Sequence, residues 1–512
     1  MPKKKFSIAT ALANLVVYAE KTFHANRFDL IYANNQLLSL FSLPEPGEAD
    51  KTLPDFQSGI IEPIIEYAIE EGLCKPEESL LFETRILGIV MPPPSQVIST
   101  FDAIAATDGI KKATDYLNEL SIHSNYIRMP DINKNIRWTA PGVKGDLTIT
   151  INLSKPEKDN KQVAMERLLP QTSYPKCKLC IENMGYAGAL NYPARQTLRV
   201  IPIMLNDELW HFQFSPYVYF DNHCIALSDE HRPMAITAQT FTRLLDFVDL
   251  FPHYFIGSNA DLPIVGGSIL AHDHFQGGSK VLPMLNRPAK KLFMSHAFPD
   301  VSIAVLDWYN SVIRLTSENR PQLEKIASYI LQNWRNYSDE ANGIFAKTSE
   351  PHNTITPIAA YNEESGYSLY LILRNNRTDE AHPYGIFHPT EDMHNIKKEG
   401  IGLIEAMGIF ILPGRLFEEI RDISDILTGR KPLNFAELSQ EDHKLFKHMG
   451  MIAQLANDYG LNLTDAAAEE AIVGYINNTC VKILNCTAVF KDTPEGNIAF
   501  DTYLKKMNFQ QL

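Results

Sequence analysis

The segment from Asp261 to Gly278 constrains the fold more than any other part of this chain. It reads Asp-Leu-Pro-Ile-Val-Gly-Gly-Ser-Ile-Leu-Ala-His-Asp-His-Phe-Gln-Gly-Gly, with a His-x-His-x-Gln core formed by His272, His274 and Gln276. Residues i, i+2 and i+4 of an extended strand project from one face, about 7 Å apart. The core therefore predicts a strand that lines one side of a sheet with two imidazoles and an amide. The flanking glycine pairs let an anion approach the backbone closely.

A pair of cysteines, in Cys177-Lys-Leu-Cys180, is the second local signal. Two thiolates at this spacing suit one tetrahedral zinc ion, which needs about four nitrogen or sulfur ligands. The same spacing is found in redox-active pairs and in pairs of buried thiols. The spacing alone leaves these alternatives open.

The net charge and the cysteine content exclude several classes of function. A formal net charge of −14 over 512 residues argues against non-specific binding to nucleic acid or to an anionic membrane. An anionic substrate must then meet a local positive site. The apolar runs are far shorter than a membrane span, and no secretory signal is evident. Six cysteines do not suggest a disulfide framework in a chain of this length, so a reducing cytoplasm is expected.

Periodicity along the chain predicts a mixture of helices and strands, in a chain long enough for roughly two to four domains. Apolar residues recur at helical spacing in residues 1–140, and polar and apolar residues alternate in 146–153 as in a half-buried strand. Further strands are predicted at 197–204, 210–214, 217–220, 354–361 and 367–373. Further helices are predicted at 238–251, 303–317, 322–337, 401–410 and in the tail from 441.

Several blocks of the sequence, together with the histidine motif, resemble the class II galactose-1-phosphate uridylyltransferases, and the resemblance covers most of the chain. The better-described class I enzymes share the His-x-His-x-Gln core and a histidine-triad-like fold. The other matching blocks are Asn152-Leu-Ser-Lys-Pro-Glu-Lys-Asp159, Ser215-Pro-Tyr-Val-Tyr219, Phe251-Pro-His-Tyr-Phe-Ile-Gly-Ser-Asn-Ala260, His352-Asn-Thr-Ile-Thr-Pro357, Leu373-Arg-Asn-Asn376 and Gly385-Ile-Phe-His-Pro389.

The resemblance implies an α+β fold with two histidine-triad-like half-domains, built on antiparallel sheets with packed helices. Helical regions would precede and follow them. The sequence itself shows no obvious internal repeat. The expected units are a mainly helical N-terminal region (1–140), a first domain with the histidine motif (141–285), a second, degenerate domain (286–440) and a helical tail (441–512).

The resemblance also implies that His274 is a nucleophile. A neutral imidazole attacks phosphorus at pH 7 without first losing a proton, and the phosphorylated imidazolium is a good leaving group. Gln276 stands where nucleotide hydrolases of the same superfamily carry a third histidine. An amide is neither acid nor base, but it can hydrogen-bond phosphate oxygens. A buried structural histidine and an amide that bridges two strands are the alternatives.

A structural zinc site follows from comparison with class I enzymes, which commonly take one ligand from a turn upstream of the active strand. Leu227-Ser-Asp-Glu-His231 matches that turn. Class I enzymes take the other histidine from the first position of the core. The implied ligands are Cys177, Cys180, His231 and His272.

The resemblance implies three groups of substrate-binding residues. Gly266, Gly267 and Ser268 would bind a phosphate through N–H and hydroxyl groups, with a simple tight turn as the alternative. Lys155 and Lys158 correspond to a basic cluster that reaches phosphates in the partner subunit's site, although exposed lysines are usually only solvated. Lys398 and Arg415, with Lys397, lie where class I enzymes bind the hexose phosphate.

The implied reaction transfers UMP from UDP-glucose to galactose 1-phosphate, in the Leloir pathway of galactose metabolism. It gives UDP-galactose and glucose 1-phosphate through a uridylyl-histidine on His274. Hexose 1-phosphates and UDP-hexoses would be its partners, together with a second copy in a homodimer. The alternatives are a dinucleoside polyphosphate phosphorylase, another histidine-triad nucleotidyltransferase, and a zinc-stabilised nucleotide-binding module without turnover.

Overall fold

A computed structural model describes residues 6–154, 173–267 and 269–512 of the chain. Three of the predicted phosphate ligands, Lys155, Lys158 and Ser268, lie outside the described residues. Their roles therefore stay predictions. Within the described ranges, no helix is long and apolar enough to cross a membrane.

Two β-sheets organise the described part of the chain. The larger sheet has eleven antiparallel strands in the order β14-β8-β9-β10-β12-β11-β6-β7-β5-β4-β3. In the smaller sheet, β2 pairs antiparallel with β1 and parallel with β13. The strands are β1 Ile136–Ala140, β2 Leu147–Asn152, β3 Ile201–Leu205, β4 Glu208–Phe214, β5 Cys224–Ser228, β6 Tyr254–Gly257, β7 His274–Ser279, β8 Ala289–Met294, β9 Ser302–Leu306, β10 Val312–Ser317, β11 Asn353–Asn362, β12 Gly366–Asn375, β13 Ile409–Pro413 and β14 Gln510–Gln511.

Helices precede, interrupt and follow the sheet strands. Those before the large sheet are Ile8–Phe23, Arg27–Leu40, Glu62–Glu70, Ser79–Val90, Pro94–Asp108, Ile110–His123 and Met129–Ile132. Those within the sheet region are Ala238–Leu250, Arg320–Arg335 and Leu403–Ala406. The C-terminal helices are Arg415–Leu427, Phe435–Leu438, Met449–Tyr459, Asp465–Thr487 and Pro494–Lys506. The predicted α+β class, with helical regions at both ends, is confirmed.

Most strands of the two expected half-domains belong to one continuous sheet, while β2 and β13 belong to the smaller sheet. β3–β7 come from the first and β8–β12 from the second, and the two sets join where β6 pairs with β11. Side chains from both halves can therefore line one face together. The domain boundaries near 140, 285 and 440 stay predictions.

Three secondary-structure predictions were wrong. The helix expected at 303–317 is a β-hairpin of β9 and β10, because its β-branched residues pack between β8 and β12 and tertiary pairing overrides local helical spacing. The helix expected at 401–410 is short, since Gly408 at φ 99° ends it and β13 begins one residue later. The segment 217–220 is a loop, in which the Tyr219 N–H donates to the Tyr217 carbonyl.

The two faces of β7 meet different surroundings. Phe275 stacks on Trp210, with ring centroids 4.7 Å apart, in the core that packs against the N-terminal helices. On the other face, Ile358, Tyr370 and Ile372 belong to a second core that includes the C-terminal helices. The aromatic stack, worth about 1 kcal/mol beyond its buried area, fixes which face of β7 is turned to the core. Gln276 and His274 project to the other face.

Candidate active site and metal-binding cluster

The His-x-His-x-Gln core lies in the middle of the large sheet. β7 begins at His274, so His272, which the sequence predicts in the same strand, lies just before it. Hydrogen bonds nevertheless continue there, because the Ser228 N–H donates to the Asp273 carbonyl at 3.0 Å. The alternation of faces is therefore kept from His272 to Gln276.

Four side chains with metal-binding atoms converge beside this strand. One ligand atom from each of Cys177, Cys180, His231 and His272 lies within 4.8 Å of all the others. The two Sγ atoms are 3.5 Å apart, Cys177 Sγ is 3.2 Å from His272 Nδ1, and Cys180 Sγ is 3.1 Å from His231 Nδ1. Tetrahedral zinc with sulfur ligands at 2.3 Å needs an S···S distance of about 3.8 Å. The cluster has the ligands and the size for one metal ion.

The tautomer of His272 and the lowered pKa of Cys177 also suit a metal, whereas burial and the neighbouring Cys177 raise the pKa of Cys180 to about 11. His272 Nε2 donates to the Ser228 carbonyl at 2.8 Å, which leaves Nδ1 with a lone pair that faces the thiols. Burial opposes ionisation of the Cys177 thiol, but contact with the His272 ring and a hydrogen bond from the Leu179 N–H outweigh it and lower the thiol pKa to about 7. A thiolate is the form that binds metal. The four residues that the resemblance named are thus brought together, in a cluster that could hold a metal ion.

His274 is held with one ring nitrogen occupied. Its Nδ1 donates to the His272 carbonyl at 2.8 Å, and no described residue hydrogen-bonds to Nε2. Burial lowers the pKa of the ring to about 4, so the imidazole is neutral at pH 7. A neutral ring with Nδ1–H fixed has its lone pair on Nε2, the state that a nucleophilic histidine requires.

Gln276 is oriented by a histidine that the sequence reasoning did not single out. His223 Nε2 lies 3.1 Å from Gln276 Oε1, and His223 Nδ1 lies 2.6 Å from the Tyr217 carbonyl. Burial lowers the pKa of His223, so the ring is neutral and its proton must be on Nδ1, facing the carbonyl. Nε2 then accepts, so the Gln276 amide must be turned by about 180°, which places its NH₂ group where it can donate to Nε2. The second amide proton of Gln276 stays available to a ligand.

Asp273, between His272 and His274, faces away from this site. Its carboxylate lies 3.6 Å from Arg232 Nε, on the side of the sheet where Phe275 meets Trp210. Burial raises the pKa of Asp273 to about 6, while Arg232 opposes that shift. The charge of Asp273 is therefore balanced by Arg232 on the face away from His274.

The Gly266-Gly267 pair is packed tightly against the sheet. A Cβ on Gly267 would lie 2.5 Å from Asn259 Nδ2, and one on Gly266 would lie 2.5 Å from the Ala260 carbonyl oxygen. Only glycine fits at either position without displacing backbone or a buried amide. Close packing accounts for both glycines, and phosphate binding by their N–H groups stays a prediction.

The structure does not bring the two predicted hexose-phosphate residues into this cluster. Lys398 is exposed, beside the buried Lys397. Arg415 forms an ion pair with Glu419 at 2.8 Å, at the start of a C-terminal helix. Their substrate-binding roles stay predictions.

Two family models match the chain in sequence. Galactose-1-phosphate uridyl transferase, N-terminal domain, matches residues 31–233, and the C-terminal domain of the same family matches residues 247–444.

Curated relatives match over nearly the whole chain. The Galactose-1-phosphate uridylyltransferase of Caldanaerobacter subterraneus is 46% identical and covers 98% of both chains. Those of Clostridium acetobutylicum and Bacillus subtilis are 45% and 41% identical and cover 93% and 98% of this chain, and 95% and 98% of their own. Yeast Ap4A phosphorylase, a solved structure, is 12% identical with a TM-score of 0.30 over 56% of this chain and 82% of its own, and it adds nothing to the assignment.

Replacement of both thiols tests the metal cluster. Metal analysis of the purified protein should give about one ion per chain. The Cys177→Ser/Cys180→Ser protein should lose that metal and melt at a lower temperature, because binding to the folded state alone stabilises it. Cys486→Ser, which changes a cysteine outside the cluster, is the control and should keep the metal. Unchanged metal content in the double variant would exclude the site.

Proposed function

The chain belongs to the galactose-1-phosphate uridylyltransferase family, and we propose that His274 is the residue that carries the uridylyl group. The enzyme is a nucleotidyltransferase that moves UMP from UDP-glucose to galactose 1-phosphate. The observation that supports His274 is its geometry: a buried, neutral ring whose Nδ1 donates to a backbone carbonyl and whose Nε2 is left available.

The reaction on His274 is a double displacement. Nε2 of the neutral ring attacks the α-phosphorus of UDP-glucose, a nitrogen–phosphorus bond forms, and the bond to the bridging oxygen breaks as glucose 1-phosphate leaves. A phosphate oxygen of galactose 1-phosphate then attacks the same phosphorus and releases the histidine. The bonds broken and made are alike in both halves, so the equilibrium lies near unity. The rate enhancement depends on how the reacting groups are positioned and on stabilisation of the charge that develops on the phosphate.

Gln276 is proposed to stabilise the phosphate on which charge develops. With its amide nitrogen held by His223, one N–H remains to donate to a phosphate oxygen. The amide cannot deprotonate water, so the intermediate persists until the acceptor arrives. His223 is a positioning residue in this scheme, since it acts through Gln276.

We propose that the metal of the Cys177–Cys180–His231–His272 cluster is zinc in a structural role. Four ligands complete a tetrahedral site and leave no position for substrate. Bound zinc would hold the backbone at His272. The carbonyl of that residue accepts the Nδ1 proton of His274, so the cluster keeps the nucleophile in the required tautomer. A cytoplasmic location stays a prediction.

Incubation with UDP-glucose alone tests the nucleophile. The wild-type protein should gain the mass of one UMP on His274, and the adduct should be labile in acid. His274→Ala should form no adduct, and its activity should fall by at least about a thousandfold, as when other nucleophiles are deleted. His296→Ala, outside this cluster, is the control and should form the adduct normally. A normal adduct in the His274→Ala protein, or sequential kinetics, would contradict the proposal.

The orientation of Gln276 can be tested through His223. Gln276→Ala should bind UDP-glucose but form the adduct slowly, because loss of a donor to developing charge costs on the order of 3 kcal/mol. His223→Phe keeps an aromatic ring beside Tyr219 but loses the hydrogen bond, so the adduct rate should fall by roughly fivefold. The effect of His223→Phe should vanish in the Gln276→Ala background. Additive losses in the double variant would show that His223 does not act through the amide.

We further propose a homodimer in which Lys155 or Lys158 serves the partner's site. The support is the resemblance described above and the place of these lysines after β2 and before the metal cluster. An inactive His274→Ala chain mixed with an inactive Lys155→Ala/Lys158→Ala chain should regain part of the activity. Verified mixed dimers without recovered activity would rule out a shared site.

A further inference from the structure

A cleft of about 290 Å³ lies between the N-terminal helices and residues 184–199. Its first wall is formed by the helix Ser79–Val90 and by the start of the helix Pro94–Asp108. Its second wall is formed by the segment that leads from the metal-binding cluster to β3. The lining contains two arginines, Arg85 and Arg199, and no carboxylate. The volume is close to the lower limit of small-molecule sites, about 300 Å³.

Arg199 brings a buried positive charge with an unused donor to this cleft. The residue is 6% exposed. Its Nε donates to the Pro92 carbonyl at 2.9 Å, and its Nη1 donates to the Gln196 and Leu198 carbonyls at 3.1 Å and 2.9 Å. Nη2 has no hydrogen-bond partner among the described residues, and it is not one of the polar atoms that are sealed from solvent. This nitrogen is therefore available to a ligand in the cleft.

No carboxylate in the described part of the chain compensates the charge of Arg199. Burial lowers the pKa of its guanidinium to about 10, and the phenol of Tyr116 is the group that opposes this shift. The guanidinium is still charged at pH 7. Because its partners are neutral carbonyl groups, an anion that binds beside it would balance a charge that is otherwise buried alone.

Arg85 adds a second positive charge at the rim of the cleft. It is exposed on the helix Ser79–Val90, and it forms no ion pair with any residue that the structure describes. Gly88 lies three residues further on and therefore on the same face of the helix. A Cβ on Gly88 would lie 3.0 Å from Gln196 Cβ, so this face packs closely against the segment that carries Arg199.

The N-terminus of a helix also meets the cleft. The helix Pro94–Asp108 begins at Pro94, which lines the cleft. No side chain caps this helix at Pro93, and its first turn contains no acidic residue. The partial positive charge of the N-terminus is therefore uncompensated, and helix termini of this kind bind anions. It adds to the charges of the two arginines.

The cleft lies on the side of the large sheet that is turned away from His274 and Gln276. Ile89 and Met184, two apolar residues of its lining, pack against the core that contains Phe275. Phe275 projects from β7 on the face opposite to His274, where it stacks on Trp210. A ligand in the cleft would therefore leave the substrate site free.

We propose that Arg85, Arg199 and the N-terminus of the helix Pro94–Asp108 form a binding site for the phosphate group of a small molecule. Phosphate oxygens accept charge-assisted hydrogen bonds from guanidinium groups. The side chains of Ile89 and Met184 would contact the carbon atoms of a phosphate ester. Bound phosphate would join the N-terminal helices to the segment before β3 and stabilise the folded state. The site is independent of the reaction proposed at His274.

Calorimetry tests the site, with inorganic phosphate, glycerol 2-phosphate and glycerol as probes and potassium chloride at equal ionic strength as the control for screening. The wild-type protein should bind both phosphates but not glycerol. The phosphate that binds more tightly shows whether free phosphate or an ester is the ligand. The same affinity is expected for the His274→Ala protein saturated with UDP-glucose, because the substrate site is then filled and no transfer takes place.

Two variants examine the arginines separately. Arg199→Met should weaken phosphate binding by at least about tenfold, because a buried charge that donates to the phosphate is lost. Arg85→Met changes an exposed side chain without an ion pair in the described ranges, so it should fold normally and weaken binding by about threefold. Arg27→Met is the matched control, since Arg27 is likewise exposed on an N-terminal helix, and it should bind phosphate as the wild type does.

The outcomes distinguish this site from the proposed nucleophile. Phosphate binding that is unchanged in Arg85→Met and Arg199→Met would overturn the site, and so would an equal loss in Arg27→Met or an equal effect of potassium chloride. Loss of binding when UDP-glucose fills the substrate site would overturn it as well. The uridylyl adduct should form normally in Arg85→Met, so that the cleft and His274 can each fail without the other.

Discussion

The pairing of β7 between β5 and β6, in the middle of an eleven-stranded sheet, is the constraint on which the site depends. A central strand cannot slip by one residue without turning every side chain to the wrong face. Phe275 is fixed in the core against Trp210, so His274 and Gln276 must face the other side. Core packing on one face thus sets the positions of the polar groups on the other.

Two backbone carbonyl groups beside this strand determine which ring nitrogen of His272 and of His274 is free. Ser228 accepts from His272, and His272 accepts from His274. The first contact turns Nδ1 of His272 toward the thiols, and the second leaves Nε2 of His274 without a proton. A similar backbone contact at Tyr217 orients His223 and, through it, Gln276. The tautomer of each imidazole ring is thus set by the backbone carbonyl that accepts from its other nitrogen.

The parts of the site with a local sequence signal were predictable, and those built by long-range pairing were not. The spacing of His272, His274 and Gln276 indicated alternation on one strand. The family resemblance named His231 and His272 as the partners of the two cysteines. His223 had no such signal, and the pairing of β5 with β7 brings it within 3.1 Å of Gln276. The hairpin at 303–317 was mistaken for a helix for a related reason. Its pairing with β8 and β12 comes from elsewhere in the chain.

The small sheet has a consequence for the order in which the chain folds. β2 pairs with β13, and Thr148 meets Ile409 across about 260 residues of intervening chain. During synthesis, β1 and β2 can form their hairpin early, but the second edge of β2 stays open until β13 leaves the ribosome. Contacts of such long sequence separation form slowly, and an open apolar edge invites pairing with other chains. Nascent copies of this protein should therefore depend on chaperones until the last third of the chain is made.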